Sequence, residues 1–168
     1  MLGLLRAFFG GAAEQAALRP PGALDERRLL AACIKCGRCM EVCPYRSIAP
    51  AAFGEGPLYG TPLVYPLRRP CYLCMKCPPV CPTGALRPVE REEVSMGLAR
   101  IIESTCLSYN DTLCNLCYKK CPLKGRAVDL DDELRPFIID DGCTGCGVCL
   151  YVCPTEPRSI AIESGRGL

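Results

Sequence analysis

Residues 106–122 read CLSYNDTLCNLCYKKCP: four cysteines and a closing proline, with seven residues between the first cysteine and the second. The same arrangement without the insertion occurs three more times, as CIKCGRCMEVCP at 33–44, CYLCMKCPPVCP at 71–82 and CTGCGVCLYVCP at 143–154. Each of those three is C-x2-C-x2-C-x3-C-P. Together the runs use Cys33, Cys36, Cys39, Cys43, Cys71, Cys74, Cys77, Cys81, Cys106, Cys114, Cys117, Cys121, Cys143, Cys146, Cys149 and Cys153, which are all sixteen cysteines of the chain. Were Cys106 a bystander, the third run would lack a cysteine that the others have. Residues 107–113 are therefore read as a loop bulging between two equivalent positions.

A chain of 168 residues with sixteen Gly and sixteen Pro commits much of its length to loops, and a small cysteine-rich domain needs staples in place of a large apolar core. Disulfides are one candidate, but cysteines at i, i+3 and i+6 are poorly placed to bridge one another and well placed to wrap a single compact group. Structural zinc is another, yet a four-cysteine zinc site uses two CxxC knuckles and has no need of a third step or of a Cys-Pro. The chain has no histidine, which removes Cys/His zinc sites, histidine-ligated haem and Rieske centres.

The spacing fits a bacterial ferredoxin run, in which three thiolates bind one [4Fe-4S] cluster and the fourth crosses to the other cluster of a pair. A tight loop can lay three thiolates over three irons of a cube, but the chain must leave before it reaches the fourth. Four runs predict four [4Fe-4S] clusters, with all sixteen cysteines as metal ligands. Thiolate is a soft donor suited to such clusters. Loop N–H groups near Gly37, Gly145 and Gly147 are expected to donate to the cluster sulfurs and tune potential, and Pro44, Pro82, Pro122 and Pro154 to fix the exit of each run. The fold class expected is α+β: tandem bacterial-ferredoxin-like modules with short hairpins, short helices and long loops. Residues 1–32 are an N-terminal extension and 33–168 a polyferredoxin domain of two interleaved modules.

The connecting segments guide the pairing of the runs. Residues 84–105 and 127–142 each read as strand, polar turn, strand, with the acidic stretch 129–133 as the turn of the second. Residues 47–70 contain five prolines and three glycines and read as a wandering loop. This favours a nested arrangement, run two with run three and run one with run four. The ligand sets would then be Cys33, Cys36, Cys39 with Cys153; Cys143, Cys146, Cys149 with Cys43; Cys71, Cys74, Cys77 with Cys121; and Cys106, Cys114, Cys117 with Cys81. A sequential wiring is the alternative, with Cys81, Cys43, Cys153 and Cys121 serving runs one to four in turn.

A helix is expected from Asp25 to Ala32, capped by Asp25, leading into the first run. The stretch LGLLRAFFGG near the start is too short to span a bilayer and is read as a short helix over residues 1–9. Twenty Lys and Arg against eighteen Asp and Glu give a net charge of +2, which makes no case for nucleic acid. Lys119, Lys120, Lys124 and Arg126, and the pair Arg68 and Arg69, are read as solvated faces. The seven tyrosines lie in or between the runs, where they would shield the clusters from water. There is no phosphate loop, no Ser/His/Asp set and no pair of catalytic carboxylates, so the chemistry is that of an electron carrier with no catalytic site of its own.

The stretches RPPGAL, LAACIKCGRCMEVCPY, GTPLVYPLRRPCYLC, CPTGAL, MGLARIIESTCLSYNDTLCNLCYKKCPL and DDGCTGCGVCLYVCP together resemble the NapG/MauM family of ferredoxin-type proteins, over about residues 19–163. The odd spacing from Cys106 to Cys114 resembles the family's own pattern. The resemblance implies four [4Fe-4S] clusters that pass electrons from a membrane-bound, quinol-oxidising NapH-type protein towards a terminal reductase, the carrier itself not being transmembrane. It also implies a periplasmic, membrane-associated place reached through a twin-arginine signal. No such signal precedes RPPGAL, so a cytoplasmic place is the expectation if Met1 is the true start. Two other readings stand beside this one: an electron-transfer subunit integral to another oxidoreductase complex, and a structural zinc-binding scaffold.

Overall fold

The computed structural model of the chain describes residues 17–164. The expected helix over residues 1–9 lies outside them. Helix α1 (Glu26–Ala32) is capped as its sequence predicts, the Asp25 carboxylate accepting from Arg28 N–H at 3.1 Å. Its Leu29 is buried. The remaining helices are single turns that carry the third cysteine of a run: Cys39 in α2 (Arg38–Glu41), Cys117 in α3 (Leu116–Lys120) and Cys149 in α4 (Val148–Val152). The second run substitutes a 3-10 turn, Pro78–Val80, because two consecutive prolines withhold the N–H groups that an α turn would use. Cys81, Cys121 and Cys153 all leave their helical turns in extended conformation, as a residue before proline must.

Among the described residues six short strands pair as three antiparallel ribbons. Strand β1 (Ile48–Pro50) pairs with β2 (Pro62–Val64), β3 (Leu98–Ile101) with β6 (Ile160–Glu163), and β4 (Val128–Leu130) with β5 (Pro136–Ile138). Two of the ribbons are hairpins lying between runs: β1–β2 joins the first run to the second, and β4–β5 joins the third to the fourth. The third ribbon, β3–β6, brackets the second pair of runs from outside. Its counterpart around the first pair is a bridge of Ala23 with Leu86, flanked by bonds from Arg87 N–H to the Gly22 carbonyl and from Leu24 N–H to the Ala85 carbonyl. The chain is thus two copies of one plan, an inner hairpin and an outer pairing around two cysteine runs.

Two expectations are corrected by these ribbons. Residues 47–70 form a hairpin despite their prolines, since Pro50 and Pro62 face each other at its end and leave the ladder to Ile48↔Val64 and Ala49↔Leu63. Residues 84–105 do not form one: their only strand is β3, which finds its partner beyond the fourth run. The modules are accordingly consecutive, not interleaved. The hairpin at 127–142 is as expected, with Asp131 accepting from the backbone N–H groups of Glu133 and Arg135 to close the turn.

Residues 17–32 are built into the first module. Leu18 pairs with Val64 in both directions, at 2.8 and 2.7 Å, and is fully buried. Arg19, 4% exposed, is held by the Glu26 carboxylate, the Thr61 hydroxyl and the Pro62 carbonyl, tying this segment to α1 and the hairpin together. One apolar cluster runs through both modules and includes Cys43, Cys71, Cys77, Cys117, Cys146 and Cys153 among Leu29, Leu86, Val148 and Leu150. A buried leucine contributes about 1.5–3 kcal/mol, but here the core is threaded with thiols, so its packing depends on what those thiols hold. Among the described residues no helix is long and apolar enough to cross a membrane.

Candidate metal centres

The fold gathers the sixteen cysteines into four groups of four, each around its own cavity. Cys33, Cys36 and Cys39 meet Cys81; Cys71, Cys74 and Cys77 meet Cys43; Cys106, Cys114 and Cys117 meet Cys153; Cys143, Cys146 and Cys149 meet Cys121. In each module the fourth cysteine of one run crosses to the other run. This is the sequential wiring, and it replaces the nested one. The cause is the β1–β2 hairpin, which folds the second run back onto the first. Cys106 stands with Cys114, Cys117 and Cys153, so the insertion bulges between two members of one quartet.

The insertion makes its own wall. Asn110 donates through its amide to the carbonyls of Glu103 and Cys106, at 3.0 and 2.8 Å, Tyr109 donates to the Pro136 carbonyl, and the Ser108 hydroxyl bonds the Cys114 carbonyl. The other three runs share one loop form. Each has left-handed residues at the second position after its first cysteine (Lys35, Leu73, Gly145) and just after its second (Gly37, Met75, Gly147). The second run places Leu73 and Met75 in conformations that side chains disfavour, a local strain of the kind found where a loop must wrap a ligand.

The fourth sulfur of every run forms a hydrogen bond with a residue after its proline. Ser47 N–H donates to Cys43 Sγ, Leu86 N–H to Cys81 Sγ and Leu123 N–H to Cys121 Sγ, each at 3.4 Å, while Cys153 Sγ lies 3.2 Å from the Thr155 hydroxyl. These donors to cysteine sulfur come from the proline exits, not from within the runs. Tyr45 and Tyr72, tilted by 39° with ring centres 4.6 Å apart, line the second cavity. Tyr59 stands outside the lining of the first.

Burial, with neighbouring thiols adding to it, pushes several of these cysteines up: Cys39 to about 11, Cys71 to about 12, Cys117 and Cys146 to about 11, with Cys77 and Cys149 also raised. Cys81 goes the other way, because bonds from Leu86 N–H and from Thr83 more than offset its burial. Packing shows how the quartets lie. The Cys39 helix α2 packs on the Pro78–Val80 turn of the second run, Cys71 of the second run bonds through its backbone to Cys146 of the fourth, and α4 of the fourth packs on α3 of the third, so the quartets form a row in the order first run, second run, fourth run, third run. At the join between modules Cys71 N–H donates to the Cys146 carbonyl at 3.0 Å.

The donor set fits iron-sulfur clusters. All sixteen thiols are free, and the four cavities are alike in their lining, each holding the four sulfurs of one quartet. Among the described residues no three or more side chains of metal-ligating type converge on a place for a single ion. The thiols surround a space, which suits a cube with an iron facing each sulfur more than a zinc ion at one centre.

Comparison with known proteins agrees with that geometry. Residues 32–85 and 98–154 each match a family described as a 4Fe-4S dicluster domain, one per module. The methylamine utilization ferredoxin-type protein MauM of Methylorubrum extorquens is 39% identical over 170 residues, covering 92% of this chain and 77% of that protein. The chain belongs to the NapG/MauM family of ferredoxin-type proteins. Within that family, MauM of Paracoccus denitrificans is 38% identical over 87% of this chain and 70% of its own. The ferredoxin-type protein NapG of Escherichia coli is 36% identical over 86% and 69%. This family member is a ferredoxin-type electron-transfer protein that binds four [4Fe-4S] clusters, two in each dicluster domain.

Proposed function

We propose that the four quartets are the ligand sets of the four clusters, and that the protein relays electrons from a quinol-oxidising membrane protein of NapH type to a terminal reductase. When bound, each cluster accepts and gives up one electron at a time. The observation that carries the reading is the row of four quartets, joined across the modules where Cys71 bonds to Cys146. The chain's own part is to hold the sulfurs, exclude water and stabilise the thiolates with N–H and O–H donors. This reading leaves the chemistry to the partners at either end.

The direct test is reduction of the oxidised, cluster-loaded protein by membrane vesicles that contain reduced quinone and the NapH-type partner. Bleaching of the cluster absorbance with these vesicles, and its absence with vesicles lacking the partner, supports the reading. Equal bleaching by both overturns the choice of donor.

A further inference from the structure

The row of quartets has two ends, and they differ. At the third-run end Cys106 is buried and the insertion closes over the quartet with its own hydrogen bonds. At the first-run end Cys36 is the one cysteine that is exposed, and Ile34 beside it is 64% exposed. A ledge stands next to it: Phe53, 92% exposed, meets Tyr59 edge-on with ring centres 5.7 Å apart, and the Lys35 ammonium lies 5.7 Å from the Tyr59 ring centre. Lys35 and Arg38 flank Cys36 and form no ion pair among the described residues, whereas Glu41 is the single acid on the adjoining turn. On the other side of Arg38 the surface opens into a dish floored by Val42, Pro79 and Val80 and reaching Cys81.

Apolar anchors in the middle and unpaired cations at the edge are the makings of a transient electron-transfer interface, where charge steers the encounter and aromatic contact holds it. We propose that the face around Cys36, formed by Ile34, Lys35, Arg38, Phe53 and Tyr59, is the docking surface for a redox protein with an acidic contact face. The proposal rests on the electron-transfer reading above. One electron would pass between the partner's centre and the cluster that Cys33, Cys36, Cys39 and Cys81 would hold, the partner's centre being oxidised as that cluster is reduced, or the reverse.

The test uses the cluster-loaded protein, its iron content measured first, and an acidic flavodoxin as the probe. Binding is followed at low salt and at high salt, together with carbodiimide cross-linking of lysines to probe carboxylates. The expected result is salt-sensitive binding, a cross-link at Lys35, and a loss of about tenfold or more in affinity on Arg38→Glu and on Phe53→Ser. Phe53→Ser lies outside the cysteine loop, so it stays informative should Arg38→Glu impair cluster loading. No binding at low salt, affinity unchanged in a loaded Phe53→Ser protein, or cross-links confined to Lys119 and Lys120 would each overturn the docking face. Failure of the parent protein to carry iron-sulfur clusters would instead remove the electron-transfer reading beneath it.

Discussion

Cys71 N–H donates to the carbonyl oxygen of Cys146 at 3.0 Å, and this bond joins two cluster loops from different modules. Beside it Gly147, at φ +83°, presses on Pro66 of the first module, so that a Cβ would lie 2.5 Å from the proline's own Cβ. The middle of the row is therefore set by a backbone hydrogen bond and by glycine backbone packed directly on the Pro66 ring.

Gly147→Ala should part the modules at this point. The left-handed conformation and the overlap with Pro66 together cost about 2–4 kcal/mol. The expected outcome is a lower unfolding temperature and weakened magnetic coupling between reduced clusters of the two modules. Gly37→Ala is the control, because at φ +78° it meets nothing within 4 Å and carries only the conformational cost, about 1–2 kcal/mol.

The wiring is open to a genetic-style test. Cys36 and Cys81 line one cavity, so Cys36→Ala, Cys81→Ala and the double variant should each lose about one cluster's iron, about four atoms per chain. Cys81→Ala with Cys114→Ala should lose about twice as much. Under a nested wiring these two doubles would exchange behaviour. Cys106→Ala should also cost one cluster, and full iron retention there would show that the insertion separates a bystander from a ligand.

That wiring is the part of the site the sequence did not make legible. The sixteen cysteines, the Asp25 cap and the Asp131 turn could be read directly, because each rests on spacing or on a local hydrogen bond. Residues 47–70 were obscured by proline and glycine content, although a hairpin needs only the two ladder positions that Ile48, Ala49, Leu63 and Val64 provide. The partner of β3 lies some sixty residues away at β6, and no local pattern announces such a pairing. The sulfur donors after the prolines, and the Phe53–Tyr59 ledge, likewise arise from tertiary approach.

Arg91 should tune the fourth-run centre. Its guanidinium donates to the Pro122 carbonyl at 3.1 Å, its Nε is buried without a protein partner, and its charge pulls against the burial that raises the Cys121 thiol. A fixed positive charge favours the added electron. Arg91→Gln should lower one of the four midpoint potentials by tens of millivolts in an optically or magnetically monitored titration, and Arg91→Lys should restore part of it. Four unchanged potentials would assign Arg91 a purely structural role.

Cluster loading should weaken as pH falls. Cys39, Cys71, Cys117 and Cys146, raised to about 11 or 12, hold their protons across the neutral range, so forming the ligating thiolates releases protons. Reconstitution at about pH 8.5 should therefore go further than at about pH 6.5, with acid released in weakly buffered solution. For the cluster-free fold the sign is opposite: raised thiols leave it unaffected below about pH 9 and destabilise it as pH climbs towards 11 or 12. Loading that is independent of pH would mean that these thiols are not the ligands.

The central claim is that sixteen thiols hold four clusters, and it is tested most directly by iron and acid-labile sulfide per chain on anaerobically purified protein. About sixteen of each are expected, with spectra of interacting cubanes after reduction by dithionite. Bound zinc with almost no sulfide would contradict it.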